Sequence, residues 1–207
     1  MQRARSDSAK AERRRTIMNA ATTLLEARGL HNLTMQDIAT ACGLTKPALY
    51  HYFPTREDLV LTVYRDLLNA WMAAFNRSLL GADASLPRAE FNSLFVSGFA
   101  ARPLLCHLTN HVTATLAPKL TGATLHSLNR DTAGQLAGLS ALFRHYGYAE
   151  DGRADDLARA YHTILVGAAQ IAARDHAASG NTGNPHSGMI DRARFEAACL
   201  ATLDCLR

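Results

Sequence analysis

Between residues 34 and 60 the chain sets helix-starting threonines at Thr34, Thr45 and Thr55 and helix-stopping residues at Gly43 and Pro54. A threonine ahead of a helix offers its hydroxyl to the unpaired amides of the first turn. Asp37 and Asp58, three residues after Thr34 and Thr55, are placed to return the bond as capping boxes. Gly43 admits the left-handed turn that ends a helix, and Pro54 cannot continue one. This punctuation leaves room for helices only at about 35–42 and 46–53, followed by a long helix from Thr55. Pro47 falls in the first turn of the middle helix, where its missing amide hydrogen costs little. A helix of that length is unstable alone. It must therefore be propped by Ile38, Leu44, Leu49 and the helix before it, in which Ile17, Ala20, Ala21, Leu24 and Leu25 recur at helical spacing.

The rest of the chain predicts an all-α fold of about nine helices. The first runs over 9–28 and is stopped by Gly29; later ones cover 88–101, 103–117, 119–146, 154–178 and 189–206. A hinge is expected at 81–87, and the most loop-like stretch is SGNTGNPHSG at 179–188. We divide the chain into an amino-terminal three-helix unit with a basic arm, residues 1–60, and a larger helical part, residues 61–207. With 48% hydrophobic and 19% charged residues, the chain can bury a sizeable core, which excludes a disordered or collagen-like polymer. No apolar run reaches the roughly 18 residues that a membrane span requires. The opening MQRARSDSAKAERRR has charge but no apolar stretch after it, so cytoplasmic residence without a membrane partner is expected. Cys42, Cys106, Cys199 and Cys205 form no Cys-x-x-Cys pair and are expected to be reduced packing residues.

The formal charge of +4 is unevenly placed. Residues 1–60 carry nine basic and six acidic side chains, and the first fifteen alone carry six against two. A basic segment beside a short, propped helix suits contact with phosphate. Two short helices joined by a tight Gly turn form the arrangement whose second helix enters the DNA major groove, although an ordinary helical corner has the same outline. On the 46–53 helix, Leu49 and Phe53 point inward and leave Thr45, Lys46, Ala48, Tyr50, His51 and Tyr52 outward or sideways. The start of the next helix, with Arg56, suits a further phosphate.

The run TMQDIATACGLTKPALYHYFPTREDLV closely resembles the amino-terminal signature of the TetR (tetracycline repressor) family of transcriptional regulators. The shared residues are an apolar helix ending in Gly29, then Thr34, Ile38-Ala39, Gly43-Leu44-Thr45-Lys46, Ala48-Leu49-Tyr50-x-Tyr52-Phe53, and an acidic pair before Leu59. Arg56 stands where many relatives carry Lys. The resemblance implies a DNA-facing set of Thr34, Thr45, Lys46, Tyr50, His51, Tyr52 and Arg56, with Pro47 and Ala48 in close apolar contact. Within that set Ala48 is expected against a thymine methyl, and His51 is expected to help set sequence choice.

It further implies that the larger part is an effector-binding and dimerisation domain. Small residues fit close helix contact in a homodimer through the last two helices: Gly167, Ala168, Ala169, Ala172 and Ala173 in one, Ala193, Ala197, Ala198 and Ala201 in the other. A two-fold dimer would set two reading helices about one turn of DNA apart, on a palindromic operator. Candidate liners of an effector site are Trp71, Phe75, Phe95, Phe99, Phe143, Tyr161 and Leu165, with the polar His107, Asn110, His111 and His162 among them. Phe91, Leu104, Leu105, Leu108 and Gln170 are further candidates, though aromatic stripes at helical spacing more often form core. No fixed negative charge stands in these apolar stretches, which favours a neutral or weakly polar organic ligand over a cation. His107 and His111 share a helical face, but one turn supplies only two ligands, so no metal and no cofactor are expected. No catalytic constellation stands out, so an enzyme is not expected. The expected function is a repressor released from double-stranded operator DNA by a small molecule, with the long helix from Thr55 transmitting the change. The alternatives are a regulator without an effector and a ligand-handling helical protein with a vestigial DNA unit.

Overall fold

The structure is a computed structural model and describes residues 2–80, 85–178 and 191–206, with side chains from 7 to 80, 85 to 173 and 191 to 206. Within them lie nine α-helices and no strand: α1 (Gln2–Arg28), α2 (Met35–Ala41), α3 (Lys46–Tyr50), α4 (Arg56–Ser78), α5 (Arg88–Ala100), α6 (Pro103–His111), α7 (Gly122–His145), α8 (Asp151–Ala178) and α9 (Arg192–Leu203). The expected loop at 179–188, the start of the hinge at 81–84 and the first residues of the 189–206 helix fall outside the described residues.

The first helix is longer than the expected 9–28: its backbone is already helical at Gln2, and Lys10, Arg13, Arg14 and Arg15 lie in its amino-terminal half. The middle helix is shorter than expected and ends at Tyr50, because His51 and Tyr52 form the turn that leads to Pro54.

Contact density separates two compact units, with the described residues up to Leu68 in the first and those from Asn69 in the second. The separation falls beyond residue 60 because α4 is one unbroken helix. Its early apolar residues, Leu59, Val60 and Val63, are buried in the first unit, while Trp71 and Phe75 are buried in the second.

In the first unit α1 packs on α2 and α2 on α3. Ile17, Ala21 and Leu25 form the buried stripe of α1, and Ile38, Ala39, Leu49 and Phe53 close the core beside it. Gly29 takes φ of 73° and donates its amide to the Leu25 carbonyl at 2.9 Å, which ends α1. Gly43, at φ 63°, turns the chain between α2 and α3, and the following Leu44 amide returns to the Ala39 carbonyl at 2.8 Å. A side chain at such a backbone angle would be strained.

In the second unit α8 packs against α6, α7 and α9, and α5 packs against α6 and α9. The helix expected over 103–117 is α-helical only to His111; it then widens into a π-helical turn, Val112–Leu116, and tightens into a 3-10 turn, Ala117–Lys119. Pro118 lies in that last turn and has no amide hydrogen with which to continue an α-helical ladder.

Candidate nucleic-acid interface and effector half

The short helix α3 and its neighbours are held by three sets of local bonds. Thr34 caps α2: its hydroxyl accepts from the Asp37 amide at 3.1 Å, while the Asp37 carboxylate accepts from the Thr34 amide at 3.2 Å and from the hydroxyl at 2.5 Å. The Thr34 bonds hold the Asp37 carboxyl below the usual aspartate range, and Arg28, 3.2 Å away, adds to the effect. Thr45 caps α3 by accepting from the Ala48 amide at 3.3 Å. Thr55 caps α4 by accepting from the Asp58 amide at 3.0 Å and donating to the Asp58 carboxylate at 2.8 Å.

On α3 the inward side is Leu49, fully buried, with Phe53 fully buried after it. Lys46, Pro47 and His51 are exposed, and Tyr50 keeps 39% of its surface in solvent despite its large ring. Residues 46, 47, 50 and 51 are one turn apart in pairs and share one face of the helix. Thr45 and Thr34 are exposed at the starts of α3 and α2, whereas Ala48 and Tyr52 are half-buried.

Arg56 does something other than what the sequence implied. Its Nε donates to the Leu33 carbonyl at 3.0 Å and its Nη2 donates to the Leu30 carbonyl, so the guanidinium clasps the α1–α2 connection. Glu57 stands 4.0 Å from its remaining nitrogen. The guanidinium is thus directed at its own chain rather than presented to a phosphate. Arg14 forms a second clasp that sequence reasoning missed. Its Nη1 donates to the Tyr52 carbonyl at 2.7 Å, and the guanidinium lies 4.2 Å above the centre of the Phe53 ring. The Thr45 cap before α3 and the Arg14 bond after it bracket a five-residue helix that could not persist alone, while Arg56 ties the start of α4 to the α1–α2 connection. Lys10, Arg13 and Arg15 are exposed on α1.

In the second unit the expected liners are chiefly core. Trp71, Phe75, Phe95, Phe99, Phe143, Tyr161 and Leu165 are all buried. Trp71 meets Phe95 at 4.9 Å and Phe99 at 5.0 Å, Phe75 meets Phe95 at 5.2 Å, and Phe143 meets Tyr161 at 4.8 Å, all ring-centre distances. These tilted and edge-on contacts suit aromatic quadrupoles. Phe91, Leu104, Leu105 and Leu108 join the same core. His107, Asn110, His111, His162 and Gln170 are half-buried, and burial lowers the His162 pKa and so favours its neutral form. No group of three or more His, Cys, Asp or Glu side chains suited to a metal occurs among the described residues.

A polar chain that sequence reasoning missed runs through this core. The Tyr161 hydroxyl donates to the Asn92 carbonyl oxygen, the Asn92 amide donates to Asp204 at 2.7 Å, and Arg88 Nε donates to the Tyr161 hydroxyl at 3.4 Å. Asn92 is buried, and its partner Tyr161 lies far along the chain, so only a polar residue directly after Phe91 hinted at it. Trp71 is different: its indole nitrogen is buried without a hydrogen-bond partner.

Comparison with known proteins adds two family matches. Residues 17–63 match the family model of bacterial regulatory proteins of the tetR family, and residues 65–199 match that of the tetracyclin repressor-like C-terminal domain. The HTH-type transcriptional repressor KstR2 of Mycolicibacterium smegmatis is 34% identical over 91 residues, covering 44% of this chain and 43% of the repressor. The match thus spans less than half the length of that relative. A TetR transcription regulator from Haloarcula marismortui shares the fold with TM-score 0.62 and 21% identity, covering 94% of this chain and 95% of that one. Thermus thermophilus FadR, a TetR-family repressor solved in complex with lauroyl-CoA, does so with TM-score 0.58 and 14% identity, covering 94% and 96%.

Proposed function

This chain belongs to the TetR family of bacterial regulatory proteins, and from that premise we propose that it is a homodimeric repressor that leaves a palindromic operator when a small organic molecule binds its carboxy-terminal half. The carrying observation is α3: five residues, capped by Thr45, anchored by Leu49, with Lys46, Pro47, Tyr50 and His51 presented together. Lys46 supplies a cation for phosphate, and Tyr50 and His51 supply hydroxyl and imidazole groups for base edges or backbone. Thr34, Thr45, Ala48 and Tyr52 flank that face. Arg56 acts by holding the reading unit together.

The dimer is assigned to α8 and α9. Ala193, Ala197, Ala198 and Ala201 are exposed on α9, open space surrounds Gly167 on α8, and Ile171 keeps 60% of its surface in solvent. A face of small residues beside an exposed isoleucine suits close packing against a second copy. Ala169 is the exception, because it packs inside its own chain.

The effector reading draws support from FadR, whose fold this chain shares and whose structure holds an acyl-CoA. To release DNA, a ligand must bind the DNA-incompetent arrangement more tightly than the competent one. α4 has residues in both compact units and is the element assigned to carry that difference. The family is one of transcriptional regulators, no described helix is long and apolar enough to cross a membrane, and we place the protein with the DNA, in the cytoplasm.

A mobility-shift titration on the DNA upstream of its own gene, run at several salt concentrations, tests this reading. Specific retardation whose affinity falls steeply with salt is expected, since phosphate contacts release counterions. Equal affinity for that DNA and for scrambled DNA of the same composition would overturn it.

A further inference from the structure

We propose that the amino-terminal half of α1 is a second DNA contact, in which Lys10, Arg13 and Arg15 hold the sugar-phosphate backbone beside the groove that α3 enters. This rests on the reading of the chain as an operator-binding regulator, and it concerns residues that lie before the family match at 17–63.

α1 is one helix with two different halves. From Ile17 onward it carries a buried stripe of Ile17, Ala21 and Leu25, whereas every residue from Asp7 to Thr16 is exposed. The packed half supplies the helical nucleus, and a segment rich in Ala, Lys, Glu and Arg extends it at little cost. Polar all round, that extension buries no core, so what it offers is its surface.

The packed half also sets the register of that surface. Counting back from Ala21 and Ile17 in steps of three and four residues leads to Arg14 and then Lys10, so one helical stripe changes from apolar to cationic. A face that changes in this way leaves the protein interior and suits an anionic surface. Arg14 fixes where the change falls. Its bond to the Tyr52 carbonyl at 2.7 Å and its position over the Phe53 ring bring it to the residues directly after the exposed Tyr50 and His51. Lys10 stands one turn further out, about 6 Å along the axis. Arg13 and Arg15 flank Arg14 on either side. Burial raises the Cys42 pKa and the Arg13 charge opposes that rise, which sets Arg13 on the side of the α2–α3 turn.

Pairing separates these three cations from the other arginines of the unit. Arg14, Arg28 and Arg56 are committed to the Tyr52 carbonyl, to Asp37 and to the Leu30 and Leu33 carbonyls. Lys10, Arg13 and Arg15 make no hydrogen bond or ion pair with a described residue. Among residues 7–15 no apolar side chain is larger than alanine. A protein partner would call for an apolar or aromatic anchor, and a lipid surface for an apolar helix face. Flexible cations without either suit a row of phosphates, which need charge and little else.

The test combines Lys10→Gln, Arg13→Gln and Arg15→Gln in the full-length chain and keeps Arg14, which holds the end of α3. Affinity for the DNA upstream of its own gene is measured over a range of salt for wild type and variant. The slope of log affinity against log salt should shrink by about 0.9 per cation removed, about 2–3 in all. Affinity for scrambled DNA should fall by the same factor, leaving the preference for the operator unchanged, as phosphate contacts require. A charge-keeping variant, Lys10→Arg with Arg13→Lys and Arg15→Lys, should retain the wild-type slope. An unchanged slope in the glutamine variant, an equal loss in the charge-keeping variant, or a reduced preference for the operator would each overturn the proposal. So would loss of binding to phosphatidylglycerol vesicles with the DNA slope intact, which would assign the cations to a lipid surface. Wild-type protein that does not prefer its upstream DNA refutes the operator reading itself; wild type that does, beside a glutamine variant of unchanged slope, refutes this inference alone.

Discussion

Arg14, Arg28 and Arg56 carry part of the positive charge of the amino-terminal unit, yet all three are tied to their own chain. Arg56→Met keeps much of the aliphatic stem and removes the bonds to Leu30 and Leu33. Leaving those carbonyls without donors is expected to lower unfolding stability by about 1–3 kcal/mol, measured by chemical denaturation. The threonine caps were legible because each has its partner three residues away. The Arg56 clasp and the Asn92–Tyr161–Asp204 chain were not, because their partners are separated by 23 to 112 positions and only folding brings them together. The thiols also differ residue by residue. Burial pushes the Cys106 and Cys199 thiols up to about 12, whereas Cys205 is exposed. The thiolate is the reactive form, so labelling of the native protein with a disulfide reagent near pH 8 should modify Cys205 quickly. Cys106 and Cys199 should react only on unfolding, and fast labelling of either would contradict the packing described above.

At the scale of elements, α2 shows how a short helix depends on one carboxylate. The Asp37 pKa lies below the ordinary value of 3.8, chiefly through the Thr34 side chain, so ionised Asp37 favours the folded state. That contribution is fully present above the unfolded value and is lost as pH falls through the lowered folded value. Thermal melts followed by circular dichroism between about pH 5 and pH 2 should therefore show an acid-sensitive component that Asp37→Asn removes. An identical pH dependence in the variant would refute the capping role. The existence of the helices was legible from punctuation and periodicity, whereas several ends were not. α3 ends at Tyr50 because the chain must already be turning at His51 and Tyr52, where Arg14 takes the Tyr52 carbonyl. The π-helical turn at Val112–Leu116 left no mark in the apolar pattern, since Val112 and Leu116 are buried at the same four-residue spacing as in an α-helix.

At the scale of the whole molecule, the two family matches, over residues 17–63 and 65–199, divide the chain between a reading unit and a carboxy-terminal half. The reading unit was legible because its geometry is made from local signals: caps, a Gly turn and an inward Leu49. The effector half was less so, because an apolar helical stripe looks the same whether it fills a core or faces a ligand. Packing resolved Trp71, Phe75, Phe95, Phe99, Phe143 and Tyr161 into a cluster of touching rings. What distinguishes Trp71 within that cluster is an indole N–H without an acceptor, which no spacing rule reveals. The dimer assigned to α8 and α9 implies that mass measured by light scattering is twice the 22.5 kDa of one chain. Replacing the exposed Ile171 by Asp should favour the monomer and weaken operator binding, because a lone reading unit engages one half-site.

The central claim is that α3 reads DNA through Tyr50 and His51 in a two-fold assembly. Footprinting of the wild type and of a Tyr50→Ala, His51→Ala double variant on the upstream DNA tests it most directly. The wild type should protect two inverted half-sites with centres about 34–36 Å apart or a multiple of that, as expected for paired reading helices. The double variant should lose that protection while keeping its helical circular dichroism. Full, sequence-specific protection by the folded double variant would contradict the account.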